Sequence, residues 1–154
     1  MKRIVLPVNI GVRRCTFMRA QRAAHRLIQV YDRALEPVGL TNAQFALLAY
    51  LYRSKGEGLD GASLSALAEF SGLHRRALHR ELRPLKASGL VAYAINPDDR
   101  RSRAVSITDK GCIKLNEARP FWRRAQTQLR ETLGAEAALE LDRLLDRALV
   151  KLKT

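Results

Sequence analysis

Cysteine is almost missing from this chain of 154 residues. Cys15 and Cys112 show no CxxC spacing and cannot make a metal site by themselves, so both are expected as free thiols of a reducing compartment. Long apolar runs are missing too: none approaches the roughly 18 residues that a spanning helix needs. The stretch Ile4 to Ile10, after Lys2 and Arg3, has a faint look of a signal peptide. Pro7 and Asn9 interrupt it, however, and Arg13-Arg14 stand where a small-residue cleavage site belongs. The expected location is the cytoplasm, at the nucleoid, with no membrane contact. Enzyme signatures are absent as well. There is no phosphate-binding glycine loop, HExxH or GxSxG, and Asp98-Asp99 in a polar loop is poorly placed as a buried acid pair. No catalytic residue, metal or cofactor is therefore expected. Aromatic residues make up only 6%, yet the hydrophobic share of 47% is ample for the core of one domain spanning residues 1–154.

Acid is the other shortage. Against 28 Lys and Arg stand 15 Asp and Glu, a formal net charge of +13. Such a field draws phosphates and releases their counterions, although a merely solubilising surface would carry the same sum. The distribution favours a polyanion partner. Residues 1–25 hold Lys2, Arg3, Arg13, Arg14, Arg19 and Arg22 and no acid, and a second basic cluster runs from Arg75 to Arg103.

The pattern of apolar residues predicts a mainly α chain with one small β-hairpin. Residues 12–36 carry helical spacing from Ala20 onward and stop at Pro37 and Gly39. Thr41 with Gln44 reads as a capping box opening a core helix to about Arg53, and Gly56, Gly58 and Gly61 read as a flexible connection. Ser63 caps a short helix, Ser71-Gly72 turns the chain, and a further helix runs from about His74 to Ser88, where Gly89 ends it. Val91, Tyr93 and Ile95, then Val105 and Ile107, alternate with small residues around a polar tip at 96–102. Thr108 caps a long helix to Leu133, and a final leucine-rich helix follows Gly134. Its wide apolar face calls for a partner, within the chain or across a dimer.

Short helix, turn, basic helix and arginine-tipped hairpin form the layout of a winged helix-turn-helix. From Arg76, steps of three and four collect His79, Arg80 and Arg83 into one cationic stripe, with His74 and Arg75 at the helix mouth. Leu78, Leu82 and Leu85 lie on the opposite face and can pack on Leu64 and Leu67. A solvated charged face would look similar, but the adjoining basic hairpin favours a helix that enters the major groove. Pro84 removes the bond to the Arg80 carbonyl, which predicts a kink or tightening there.

These features resemble the MarR family of bacterial regulators from about Val12 to Leu149. The marks are Leu40-Thr-Asn-Ala-Gln-Phe-Ala-Leu-Leu, the Leu64 to Leu90 helix-turn-helix, and Asp99-x-Arg101 leading to Ile107-Thr108 and Gly111. The resemblance implies a sequence-specific double-stranded DNA-binding regulator, a repressor released by a small effector. Its DNA-binding lobe would span about 41–108, and helices at about 12–36 and 109–152 would dimerise. Two protomers would then meet a pseudo-palindromic operator. The resemblance also gives the wing arginine, Arg101, a minor-groove role braced by Asp99, with Arg100 and Arg103 beside them. The helix mouth, His74-Arg75-Arg76-Ala77-Leu78-His79, departs from the family's small hydroxyl residues, so operator preference does not transfer.

Two effector modes remain open. Many relatives bind small aromatic acids or phenols, while others sense oxidants through a cysteine on the first helix. Cys15, beside Arg13 and Arg14, is a candidate redox residue, although it is offset by about two positions and Phe17 stands at the matching place. An architectural DNA binder without an effector is the further alternative.

Overall fold

A computed structural model describes residues 15–95 and 103–152. Helix α1 spans Thr16–Leu35 and passes through a short 3-10 turn, Glu36–Val38, to α2, Asn42–Gly56. A two-residue strand β1, Ala62–Ser63, precedes α3, Leu64–Ser71, and α4, Arg75–Ala87. Strands β2, Val91–Ile95, and β3, Arg103–Ile107, lead into α5, Asp109–Leu133, and α6, Ala135–Lys151. The mainly helical winged architecture is the one expected. The expected start of the first helix at Val12 lies outside the described residues, and α1 begins at Thr16.

Three hydroxyl caps start three of these helices. Thr41 Oγ1 accepts from the Gln44 amide while the Gln44 side chain accepts from the Thr41 amide, closing the predicted capping box. Ser63 accepts from Ala66 N at 3.1 Å and Thr108 from Gly111 N at 3.0 Å. Each satisfies an amide that a helix start leaves without a partner.

The sheet corrects one expectation. It has three antiparallel strands in the order β1-β3-β2, with Ala62 opposite Val105 and Val91 opposite Ile107. The connection read as flexible at Gly61 instead presses on β3. A Cβ at Gly61 would stand 2.8 Å from the Val105 carbonyl oxygen, and its φ of 147° suits glycine. A two-residue strand is too short to show alternation, which is why periodicity missed it.

One core joins every layer. Leu35 of α1, Leu47, Leu48 and Leu51 of α2, Leu67 of α3, and Leu78, Leu82 and Leu85 of α4 are buried with Val105 and Leu115. The expected packing of α4 leucines toward α3 is present, with Leu64 partly buried against the same cluster. Helix α4 also continues past Pro84, where Ser88 N donates to the Pro84 carbonyl at 2.9 Å. Burial of Leu82 and Leu85 on either side holds a turn that a proline alone would disfavour by ~3 kcal/mol.

The start of α5 sits directly on Leu90, the residue that leads into β2. A Cβ at Gly111 would lie 2.1 Å from the Leu90 carbonyl oxygen and 2.7 Å from Ile107 Cγ1. Backbone is the obstacle, so the neighbour cannot simply rotate away. Gly111→Ala should therefore lower stability by on the order of 1–3 kcal/mol, read as a lower urea midpoint at unchanged slope. A variant as stable as the parent would show that this junction yields easily.

Candidate nucleic-acid interface

The turn between α3 and α4 places His74 at the N-cap of α4. Its Nδ1 accepts from the Ala77 amide at 3.1 Å, so this nitrogen carries no proton and Nε2–H remains free to donate outward. An imidazole thus does the capping work of a serine or aspartate. Ala77 and Leu78 are buried behind it, while Arg75, Arg76, His79, Arg80 and Arg83 are all exposed. The structure brings these six predicted side chains onto one helix, with the cationic stripe opposite the leucines that face the core.

Three contacts along α4 were not anticipated. Arg80 Nε donates to Glu81 Oε1 at 3.3 Å, and the side chains are 76% and 13% exposed respectively. Glu81 Oε2 also accepts from the Thr41 hydroxyl at 3.2 Å. That hydroxyl's lone pair is used by the Gln44 amide, so its proton is directed at Glu81. The available signal was Glu81 itself, the only acid among residues 75–87. Near the other end of the helix, Lys86 Nζ sits 4.9 Å from the centre of the Tyr93 ring, tying α4 to β2.

Of the wing residues, Asp99, Arg100 and Arg101 lie outside the described residues. Arg103 opens β3, where it pairs with Ile95 of β2. Cys15 is an exposed free thiol at the N-cap position of α1, and Cys112 is partly buried against the core. Among the described residues no group of three or more His, Cys, Asp or Glu could hold a metal ion. Also among them, no helix is long and apolar enough to cross a membrane.

Where α1, α2 and α5 meet, three aromatic rings stack. Trp122 lies 5.6 Å from Phe45 and 6.4 Å from Tyr31, centre to centre. The Tyr31 hydroxyl donates to Gln126 Oε1. Burial, helped by the nearby Asp142 carboxylate and opposed by Arg130, raises the Tyr31 phenol above its ordinary range and keeps it a donor. A cleft of about 500 Å³ opens nearby at the α1–α2 corner, lined by Asp32, Arg33, Glu36, Leu40, Thr41 and Gln44 among others. None of these contacts follows from local periodicity, because they join segments distant in sequence.

Comparison with known proteins agrees with this geometry. Residues 38–102 match the sequence profile of the MarR family. The chain is 34% identical over 95 residues to the transcriptional activatory protein BadR of Rhodopseudomonas palustris, a match covering 62% of this chain and 53% of that protein. It is 29% identical over 114 residues to the HTH-type transcriptional repressor Rv2887 of Mycobacterium tuberculosis, covering 74% of this chain and 78% of the relative. Among solved structures, the M. tuberculosis regulator MosR in complex with DNA superposes with a TM-score of 0.70 at 32% identity. That superposition covers 90% of this chain and 99% of MosR. Motifs, fold and relatives converge: the chain belongs to the MarR family of winged helix-turn-helix transcriptional regulators.

Proposed function

We propose that this chain is a single-domain, sequence-specific binder of double-stranded DNA that regulates transcription in the cytoplasm as a homodimer. One observation carries the reading: α4 presents Arg76, His79, Arg80 and Arg83 outward from a helix anchored by Leu78, Leu82 and Leu85. A helix fixed by its apolar face and cationic on the other can seat in a major groove, where arginine bonds to guanine edges or phosphates. The DNA complex of MosR, similar along nearly its whole length, supports the same use of this fold. By the family resemblance, Arg101 of the wing would reach the adjoining minor groove, where narrow A·T tracts concentrate negative potential, with Asp99 as its brace and Arg100 and Arg103 beside them.

Dimerisation is supported by the apolar surface that a single chain leaves uncovered. Phe17 on α1 and Leu149 on α6 are 67% and 73% exposed, with Ile28, Leu144 and Leu145 exposed alongside. A second copy covering these helices would place two reading helices on half-sites of a pseudo-palindrome, about one helical turn apart. The regulator acts as a repressor, as Rv2887 is named, and a small aromatic or phenolic effector releases it. The cleft at the α1–α2 corner, lined by Arg33, Leu40, Thr41 and Gln44 with Asp32 and Glu36, has a volume of about 500 Å³, enough for a small aromatic or phenolic molecule.

Selection of bound fragments from sheared genomic DNA tests the main reading. Discrete operators should emerge, and uniform coating would instead mark an architectural binder. On a selected operator, Arg76→Ala should weaken binding by on the order of 1–3 kcal/mol. If Arg76 touches phosphate instead of a base, the loss should be equal on all sequences and the salt dependence should flatten. No loss on any duplex would remove α4 from the interface.

The dimer is tested by Leu145→Asp with Leu149→Asp. Both side chains are exposed in the single chain, so the carboxylates enter no core of their own protomer. The variant should sediment as a folded monomer, since carboxylates buried across an interface without partners are costly. A dimer as tight as the parent's would place the interface elsewhere.

A further inference from the structure

We infer that Glu81 is a positioning residue that fixes how Arg80 meets DNA, and thereby sets the protein's discrimination between its operator and other sequences. The inference rests on the DNA-reading role proposed above for α4.

Arginine can approach guanine by its two terminal nitrogens or by the edge that includes Nε, and it can equally drift onto a phosphate. In this structure the second choice is taken away. Nε is already committed to Glu81 Oε1 at 3.3 Å, which leaves the terminal Nη groups as the guanidinium's outward donors. The carboxylate that holds it cannot wander. Its side chain is only 13% exposed and its other oxygen is fixed by the Thr41 hydroxyl at 3.2 Å. Thr41 in turn is locked in the capping box of α2, so the anchor lies on a neighbouring helix rather than on α4 alone. Asp32 of α1 strengthens the same point by accepting from the Asn42 amide at 2.6 Å.

Fixing the donor in this way acts unequally on two kinds of contact. An end-on bond to a guanine edge keeps the Arg80–Glu81 pair intact. A phosphate contact that pulls the guanidinium sideways breaks it and leaves a largely buried carboxylate without its cation. Opposition to the wrong contact is a source of specificity distinct from attraction to the right one. Glu81 also adds negative charge beside the groove, which weakens binding to every sequence. Its removal should thus loosen specific binding while sparing or improving non-specific binding.

The experiment compares an operator duplex selected by the parent protein with a scrambled duplex of equal length and composition, at fixed salt. Relative to the parent, Glu81→Ala should lower the ratio of the two affinities by about three- to tenfold, a coupling of the size known for contacting groups. Glu81→Gln keeps the volume and an oxygen acceptor without the charge, and should lose less. Arg80→Ala should lower the ratio by itself, and adding Glu81→Ala to it should lower the ratio no further. A role confined to stability would reduce both affinities alike and leave the ratio unchanged. That result, or an equal loss of ratio with and without Arg80, overturns the inference. If Glu81→Ala does not fold, the Glu81→Gln and Arg80→Ala cycle measures the same coupling and is judged by the same criterion. A parent protein that fails to distinguish the two duplexes would instead defeat the DNA-reading role itself.

Discussion

Hydrogen bonds converging on Thr108 hold helix α4, the sheet and the long helix α5 in one arrangement. Its amide donates to the Leu90 carbonyl and its hydroxyl to the Gly89 carbonyl at 2.7 Å, just past the end of α4. The same hydroxyl accepts from Gly111 N, and the Thr108 carbonyl accepts from Cys112 N, which starts α5. A small hydroxyl residue is needed because the donor and acceptor roles are used together within one turn. The lack of a side chain at Gly111 is the other half of the fit, since the Leu90 carbonyl occupies the space a Cβ would take. The orientation of α4 against the rest of the molecule depends on this junction.

The second constraint on α4 comes from its middle. Its apolar side is fastened by Leu78, Leu82 and Leu85, which fixes the axis but not the polar side chains above it. Long arginines on a solvated face keep most of their rotamer freedom, and ordering them on binding costs ~0.5–1.5 kcal/mol each. Arg80 is the exception on this helix, because Glu81 and Thr41 order it in advance. Arg76 and Arg83 have no hydrogen-bond or ion-pair partner among the described residues. Among the exposed arginines of α4, Arg80 is thus the one held by an ion pair within the described residues.

Much of this was legible before the fold was known, for identifiable reasons. Helix starts at Thr41, Ser63 and Thr108 could be read because capping is local chemistry within three residues. The two faces of α4 could be read because helical period separates Arg76, Arg80 and Arg83 from Leu78, Leu82 and Leu85. What escaped was either too short or too distant. Strand β1 has two residues and no alternation to detect. The Trp122–Phe45–Tyr31 stack and the Thr41–Glu81 bond join residues separated by tens of positions, and neither period nor composition specifies such pairs. His74 shows the limit from the other side. Its position at the helix mouth was evident, but its capping role depends on a ring orientation that only the fold supplies.

The long helix α5 explains how so small a domain keeps these parts in register. It begins on the sheet at Thr108, contributes Leu115 and Ala118 to the shared core, and continues to Trp122 and Gln126, where it meets α1. Farther on, Arg130 stands 3.8 Å from Asp142 of α6. Helix α1 reaches α4 by a second route, through Asp32 to the α2 N-terminus and on through Thr41 to Glu81. Helix α4 is therefore tied near its C-terminal end to α5 and at its middle to the α1–α2 corner. A displacement of α1 relative to α5 cannot leave both attachments undisturbed. It tilts α4 as a body, breaks the Thr41–Glu81 bond or breaks the Asp32–Asn42 bond, because close-packed leucines beneath the helix leave little room for gradual adjustment. Each of the first two changes the setting of Arg80, so the Thr41–Glu81 bond is where the α1–α2 corner bears on it.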